Sequence, residues 1–171
     1  SMQSSLDIDL EHADPIEVIA LERSLQNQVC DDLEQLADQL GGPLDVKLCA
    51  SVKDRLQTCL PLYHRDEEAL FELMLKKEPD NRVLAACTEQ AAAQHAAMQA
   101  YVFELLEPLV DMGAGIVPRN LDTVGYMLRY CFDCMRHHLQ WEDVSIFRGQ
   151  DRNLPIADRE QLRLAMIRNR A

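Results

Sequence analysis

The stretch LAACTEQAAAQHAAMQAYVFELLEPL, residues 84–109, repeats mainly apolar or small side chains at alternating steps of three and four residues. This spacing places those side chains on one face of an α-helix. It therefore predicts a long amphipathic helix, ended by Gly113-Ala114-Gly115, that buries this face against other helices. The face consists of Leu84, Thr88, Ala91, His95, Met98, Val102, Leu105 and Leu109.

A first helix is predicted to begin at Asp14-Pro15, because aspartate is a good N-cap and proline suits the first helical position. Gly41-Gly42 is a strong stop signal. Two polar residues, Arg23 and Gln26, complete its otherwise apolar face, whose members are Ile16, Ile19, Cys30, Leu33, Ala37 and Leu40.

Two more helical segments complete the pattern. One runs from about Leu44 to Lys77 and should be kinked or restarted at Pro61, since proline lacks a backbone donor. The other is capped by Asn120, Asp122 or Thr123. It places His138 and Glu142 on a face with Val124, Leu128, Cys131, Met135 and Ser145.

Four amphipathic helices joined by short connections predict an all-α protein, an up-down-up-down four-helix bundle spanning residues 14–154. Residues 1–13 are expected to be a flexible acidic leader, with Ser1 as a tag scar before the native start. Residues 155–171 should form a short C-terminal helix packed on the bundle through Leu162, Leu164, Met166 and Ile167, with its arginines facing acidic surface.

Composition excludes several classes of function. The chain has 17 Lys+Arg against 29 Asp+Glu, a net charge of −12, which argues against binding nucleic acid. No apolar run reaches the length of a membrane helix, and no secretory signal is visible, so a cytoplasmic protein is expected. Its six cysteines should then be free, mostly buried thiols. A protein partner is compatible with this composition, and the sequence leaves the oligomeric state open.

Ionisable side chains occupy positions that should face the core. His95 lies on the helical face described above, and the pattern H-x-x-x-E occurs twice, as His64/Glu68 and His138/Glu142. Residues four apart share a helix face. Imidazole nitrogens and carboxylate oxygens that converge inside a helical protein are what a metal site requires. The metal ligands predicted from these patterns are His64, Glu68, His95, His138 and Glu142.

The sequence resembles the hemerythrin-like (HHE, cation-binding) family over nearly its whole length. The resemblance rests on MRHHLQWEDVSIF (135–147), LPLYHRDEEALFELM (60–74), the first helix and the C-terminal segment LPIADREQLRLAMIRNR (154–170). The resemblance implies a helical bundle that is related to proteins with an oxygen-linked, non-haem di-iron site. One ambiguity stays open: Tyr63 with Glu67, rather than His64 with Glu68, would also fit the ligand register of the second helix.

Arg23 stands where the resemblance implies a histidine ligand, and Ala91 occupies another such position. A guanidinium stays positively charged and cannot donate a lone pair to a metal. We expect it to be buried within hydrogen-bonding reach of Glu68 or Glu142, where it would displace at least one of two metals. The alternative is that Arg23 reaches solvent and Glu22 turns inward as an oxygen ligand.

Three functions are compatible with these patterns, and an enzyme is not expected. The first is a metal-binding sensor or regulator with a single divalent ion, iron or zinc, rather than an oxygen carrier. The second is a metal-free scaffold that binds a protein partner. The third is a redox protein that uses its thiols, although thiols buried in apolar surroundings react poorly.

Overall fold

The computed structural model describes residues 8–148 and 154–171, and all regular structure in these ranges is helical. Two π-helical turns, Arg55–Cys59 and Asp143–Phe147, follow the second and fifth α-helices. The all-α class is therefore confirmed for these residues, while the up-down-up-down arrangement stays a prediction. The α-helices are α1 (Pro15–Gln39), α2 (Val46–Asp54), α3 (Leu60–Lys77), α4 (Arg82–Gly113), α5 (Leu121–Glu142) and α6 (Ile156–Asn169).

Side-chain hydrogen bonds cap the N-termini of several helices, including α1, where the sequence predicts Asp14 as the cap. The Asp14 carboxylate accepts a hydrogen bond from the backbone N–H of Ile16 at the start of α1. Asn81 and Asn120 cap α4 and α5 in the same manner. Such caps satisfy backbone donors that the first helical turn leaves without partners. After α1, Gly41 has a φ of 93°, a left-handed conformation that glycine adopts without steric penalty.

The turn Arg55–Cys59 joins α2 to α3 without ending the helical path, although Pro61 was expected to kink or restart the helix. The N–H of Leu60 donates to the carbonyl oxygen of Arg55, five residues earlier. Pro61 thereby falls in the first turn of α3, where its missing N–H is tolerated. A π-helical turn contains one residue more than an α-helical turn, so it rotates every later side chain about the helix axis.

A polar layer separates two apolar clusters in the interior. One cluster includes Val29 and Met98, and the other includes Ile19 and Ala91. His95 lies between Met98 and Ala91 on α4, so it is placed at the boundary of the two clusters. The main helix pairings are α1 with α5, α2 with α4, α4 with α5 and α3 with α6. No helix in the described parts of the chain is both long enough and apolar enough to cross a membrane.

Helix α6 packs on α3 and α1 through a narrower face than expected. Leu162 and Met166, four residues apart, are buried in one of the apolar clusters. Leu164 and Ile167 remain 53% and 38% exposed, so the prediction that they pack inward is wrong. The physical reason is that positions 162 and 166 share one face of α6, and residues 164 and 167 point away from it.

The boundary of the predicted leader also differs. Residues 1–7 lie outside the described residues, but Leu10 is buried in the cluster that includes Leu162. Arg163 of α6 donates hydrogen bonds to the carbonyl oxygens of Leu10 and Ala13. The packed part of the chain therefore begins before Asp14, because this N-terminal segment covers α6.

Candidate metal centre

Four buried side chains from three helices meet in the polar layer: Glu67 of α3, His95 of α4, and His138 and Glu142 of α5. One ligand atom from each lies within 4.8 Å of the others. His95 Nε2 is 3.2 Å from Glu67 Oε2 and 3.3 Å from Glu142 Oε2. His138 Nε2 is 3.1 Å from Glu142 Oε1. The cluster thus brings two imidazole nitrogens to two carboxylates in a region without access to solvent.

Four atoms of this cluster have no hydrogen-bond partner among the described residues, although they are close together. They are Glu67 Oε2, His95 Nε2, His138 Nε2 and Glu142 Oε2. Two ligand atoms about 2.0–2.2 Å from a tetrahedral zinc ion are separated by about 3.3–3.6 Å. The separations of His95 Nε2 from Glu67 Oε2 and from Glu142 Oε2, 3.2 and 3.3 Å, are close to that range. Buried polar atoms without partners are uncommon, and a metal ion would satisfy all four.

The outer nitrogens of both histidines have acceptors that orient the rings. His95 Nδ1 lies 3.1 Å from Glu68 Oε1, and His138 Nδ1 lies 2.5 Å from Gln94 Oε1. Because these oxygens accept, each Nδ1 is a donor, and each Nε2 is directed to the cluster. This arrangement, in which a polar group holds the far side of a ligating imidazole, is typical of metal-bound histidines.

His64 lies beside the cluster without belonging to it. Its ring stacks on that of His95, with centroids 3.9 Å apart and planes 4° from parallel. Both of its ring nitrogens are buried and lack hydrogen-bond partners among the described residues. Burial, together with the neighbouring His95 and His138, holds the pKa of His64 well below its usual range. His64 is therefore a neutral imidazole at physiological pH.

Three of the five predicted ligands, His95, His138 and Glu142, meet in the cluster, but Glu68 does not. Glu67 provides the carboxylate instead, while the side chain of Glu68 is 42% exposed and contacts the outer nitrogen of His95. The alternative register, Tyr63 with Glu67, correctly included Glu67. Its other member, Tyr63, is not among the four residues of the cluster and packs with Leu25 and Cys59.

Arg23 of α1 lies in the polar layer and contacts both carboxylates of the cluster. Its Nη1 donates to Glu142 Oε1 at 2.7 Å and to Glu67 Oε1 at 3.2 Å. Its Nη2 donates to the carbonyl oxygen of Leu139 at 3.0 Å. The guanidinium also stacks over the Phe147 ring, 4.1 Å from its centroid. Glu142 is one of the two carboxylates expected to accept from Arg23, and Glu67 takes the place of Glu68.

Glu22, the alternative inward residue, is also buried, but it faces a different cation. Its Oε2 accepts a hydrogen bond from Arg170 Nη2 at 3.0 Å. Arg170 also forms two hydrogen bonds with the buried carboxylate of Asp66. Neighbouring residues of α1 and α3 therefore serve two separate ionic networks. Glu22 and Asp66 face α6, whereas Arg23 and Glu67 face the histidine cluster.

Electrostatic coupling ties the cluster's protonation states together. Burial by itself would lower the pKa of His95, but Glu142, Glu67 and Glu68 outweigh it and raise that pKa to about 11. Burial raises the pKa of Glu67, and the adjacent Glu142 adds to this effect. Burial alone would also raise the pKa of Glu142, but the adjacent imidazoles of His138 and His95 hold it below its usual range.

The six cysteines are free, as expected, and four of them are buried. Burial raises the pKa of the Cys30 thiol to about 12 and also raises that of Cys131. Thiols with such pKa values carry almost no thiolate at neutral pH. These two cysteines are therefore poorly suited to redox chemistry.

The buried Glu67, His95, His138 and Glu142 can hold a metal ion, since imidazole nitrogens and carboxylate oxygens are common ligands of divalent metals. Comparison of the chain with protein-family models, with curated proteins and with solved structures finds no match. The resemblance to hemerythrin-like proteins thus stays a prediction.

Proposed function

We propose that this protein is a metal-binding helical module, a sensor or regulator that holds one divalent ion, zinc or iron, rather than an oxygen carrier. The observation that carries the proposal is the convergence of four buried donor atoms without hydrogen-bond partners, from Glu67, His95, His138 and Glu142. Four protein donors suffice for one such ion. The Nδ1 acceptors Glu68 and Gln94 support the same assignment.

The scaffold that we infer for this site is an up-down-up-down four-helix bundle of hemerythrin-like type. Support comes from the pairing of α1 with α5, α2 with α4 and α4 with α5, and from ligands that project inward from three helices. The six free thiols fit a reducing compartment such as the cytoplasm.

An ion in this cluster would link α3, α4 and α5. A ligand that binds only the folded state stabilises that state in proportion to the logarithm of its concentration above Kd. Metal binding would therefore increase the stability of the packing between these three helices, and this change would signal that the site is occupied. This output suits a regulator, because it requires no catalytic group.

A second candidate is a metal-free scaffold, and one observation favours it. The carboxylates raise the pKa of His95, and with His95 protonated it and Arg23 carry two positive charges beside the buried carboxylates of Glu67 and Glu142. The network is thus neutral with protons alone, and burial of a balanced network is tolerable. Under this alternative the bundle's surface, rather than its interior, would perform the function by binding a protein partner.

Calorimetric titration with Zn²⁺ distinguishes the two candidates. We expect one Zn²⁺ per wild-type chain and at least a 100-fold weaker Kd for Glu67→Gln, because that variant loses an anionic ligand. Glu68→Gln is the matched control: it changes the neighbouring carboxylate but keeps an acceptor for His95, so about a tenfold effect is expected. No binding by the wild type, or equal binding by the wild type and Glu67→Gln, would favour the scaffold.

A further inference from the structure

The carboxylates of Glu67 and Glu142 divide their oxygens between two cationic neighbours. On one side, both Oε1 atoms accept hydrogen bonds from Arg23 Nη1. Glu67 Oε1 also accepts from Gln26 Nε2 at 3.4 Å, and Glu142 Oε1 lies 3.1 Å from His138 Nε2. On the other side, both Oε2 atoms lie near His95 Nε2 without a hydrogen bond. The pair therefore bridges two positions: one filled by a guanidinium, and one lined by the donor atoms of the candidate metal centre.

The position filled by Arg23 is lined by oxygen atoms. Its three acceptors are Glu67 Oε1, Glu142 Oε1 and the carbonyl oxygen of Leu139, at 3.2, 2.7 and 3.0 Å. Carboxylate and carbonyl oxygens are also the ligands that hard divalent cations such as Mg²⁺ and Mn²⁺ prefer. The guanidinium thus satisfies a set of groups that would otherwise suit a metal ion.

We propose that Arg23 is a built-in cation that occupies a second cation position and so limits the metal centre to one ion. This inference rests on the proposed function for the occupancy of the first position. Arg23 is suited to the role because a guanidinium does not lose its charge in proteins. Its side chain is only 14% exposed, and its guanidinium carbon lies 4.1 Å from the centroid of the Phe147 ring.

Charge explains the limit on the number of ions. Two carboxylates, one guanidinium and one divalent ion carry a net charge of +1, if the histidines are neutral. A second divalent ion beside Arg23 would raise the buried charge to +3, which a low-dielectric interior strongly opposes. If Arg23 is replaced by a neutral residue, two divalent ions against two carboxylates leave a net charge of +2 and restore ligands for the second ion.

The test is the uptake of Mn²⁺ by protein that is already loaded with Zn²⁺. Uptake is measured as the decrease in the electron paramagnetic resonance signal of free Mn²⁺. The wild type should bind no Mn²⁺ at the cluster, whereas Arg23→Ala should bind one additional Mn²⁺ per chain. Arg23→Lys, which keeps the positive charge, should behave like the wild type. If Arg23→Ala is unfolded without metal, Mn²⁺ should raise its helix content and Tm, and failure to do so would contradict the inference.

Arg136→Ala is the matched control, because Arg136 also contacts two carboxylates, Asp31 and Glu34, and stacks over Phe132. The side chain of Arg136 is partly exposed, and its removal changes the net charge by the same amount. Equal Mn²⁺ uptake by Arg23→Ala and Arg136→Ala would overturn the inference. A wild type that binds no Zn²⁺ would instead refute the proposed function, so the two failures are distinguishable.

Discussion

Replacement of Arg170 by leucine is expected to lower the free energy of unfolding by about 3–5 kcal/mol, because it breaks a buried ionic network. Arg170 Nη2 contacts Glu22 Oε2 at 3.0 Å and Asp66 Oδ2 at 2.9 Å, and Nη1 contacts Asp66 Oδ1 at 3.1 Å. Both carboxylates are fully buried. The variant would leave them in the interior without the guanidinium that they share. Urea denaturation followed by circular dichroism measures the effect.

Arg168→Leu provides the control for this prediction. Arg168 lies two residues earlier on α6 and is exposed, so its replacement should change the free energy of unfolding by no more than about 0.5 kcal/mol. If Arg170→Leu is no less stable than Arg168→Leu, the contacts of Arg170 with Asp66 and Glu22 contribute nothing to the attachment of α6.

The second large effect is expected for Glu142→Ala. Glu142 Oε1 accepts from Arg23 at 2.7 Å and lies 3.1 Å from His138 Nε2, and its Oε2 lies 3.3 Å from His95 Nε2. Loss of this carboxylate leaves a buried guanidinium without its shortest contact, so we expect a destabilisation of about 3–5 kcal/mol. Zn²⁺ affinity should fall at least 100-fold, because a ligand is also removed.

Asp143→Ala is the neighbouring control. Asp143 pairs with Arg148 at 2.9 Å on the surface, where both side chains are at least half exposed. Exposed ion pairs contribute about 0–1 kcal/mol, and this variant should retain Zn²⁺ binding. Similar stability and Zn²⁺ affinity in Glu142→Ala and Asp143→Ala would contradict the central role of Glu142.

Much of the site could be predicted from helical periodicity. His95, His138 and Glu142 each fall in register with apolar residues on a face of α4 or α5, and all three are buried. Arg23 was identified in the same way, from the apolar residues that precede and follow it on α1. Local spacing was sufficient in these cases because each helix is α-helical throughout the segment that carries the residue.

Glu67 was the residue that periodicity did not single out from its neighbour. Adjacent residues lie about 100° apart around an α-helix, so a choice between Glu67 and Glu68 requires the rotational register of α3. The π-helical turn Arg55–Cys59 changes that register just before the ligand segment. The sequence does not show that this turn is π-helical, so the rotational register of α3 could not be predicted from α2. The pattern H-x-x-x-E therefore led to the choice of His64 and Glu68.

The network of Arg170 with Asp66 and Glu22 was also beyond local patterns. These residues are separated by 104 and 148 positions in sequence, and they meet only when α6 packs on α1 and α3. The excess of arginine on α6 was enough to predict that its arginines face acidic surface. The identity of the buried carboxylates depends on the relative rotation of three helices, which a single sequence does not specify.

The most direct test of the central claim is an anomalous difference map, collected at the zinc absorption edge, from crystals of the wild-type protein grown with stoichiometric Zn²⁺. We expect one strong peak about 2.0–2.2 Å from Nε2 of His95, Nε2 of His138 and one carboxylate oxygen each of Glu67 and Glu142. The side of these carboxylates that faces Arg23 should show no peak. Anomalous density confined to surface residues, with none among these four side chains, would contradict the assignment of this cluster as a metal centre.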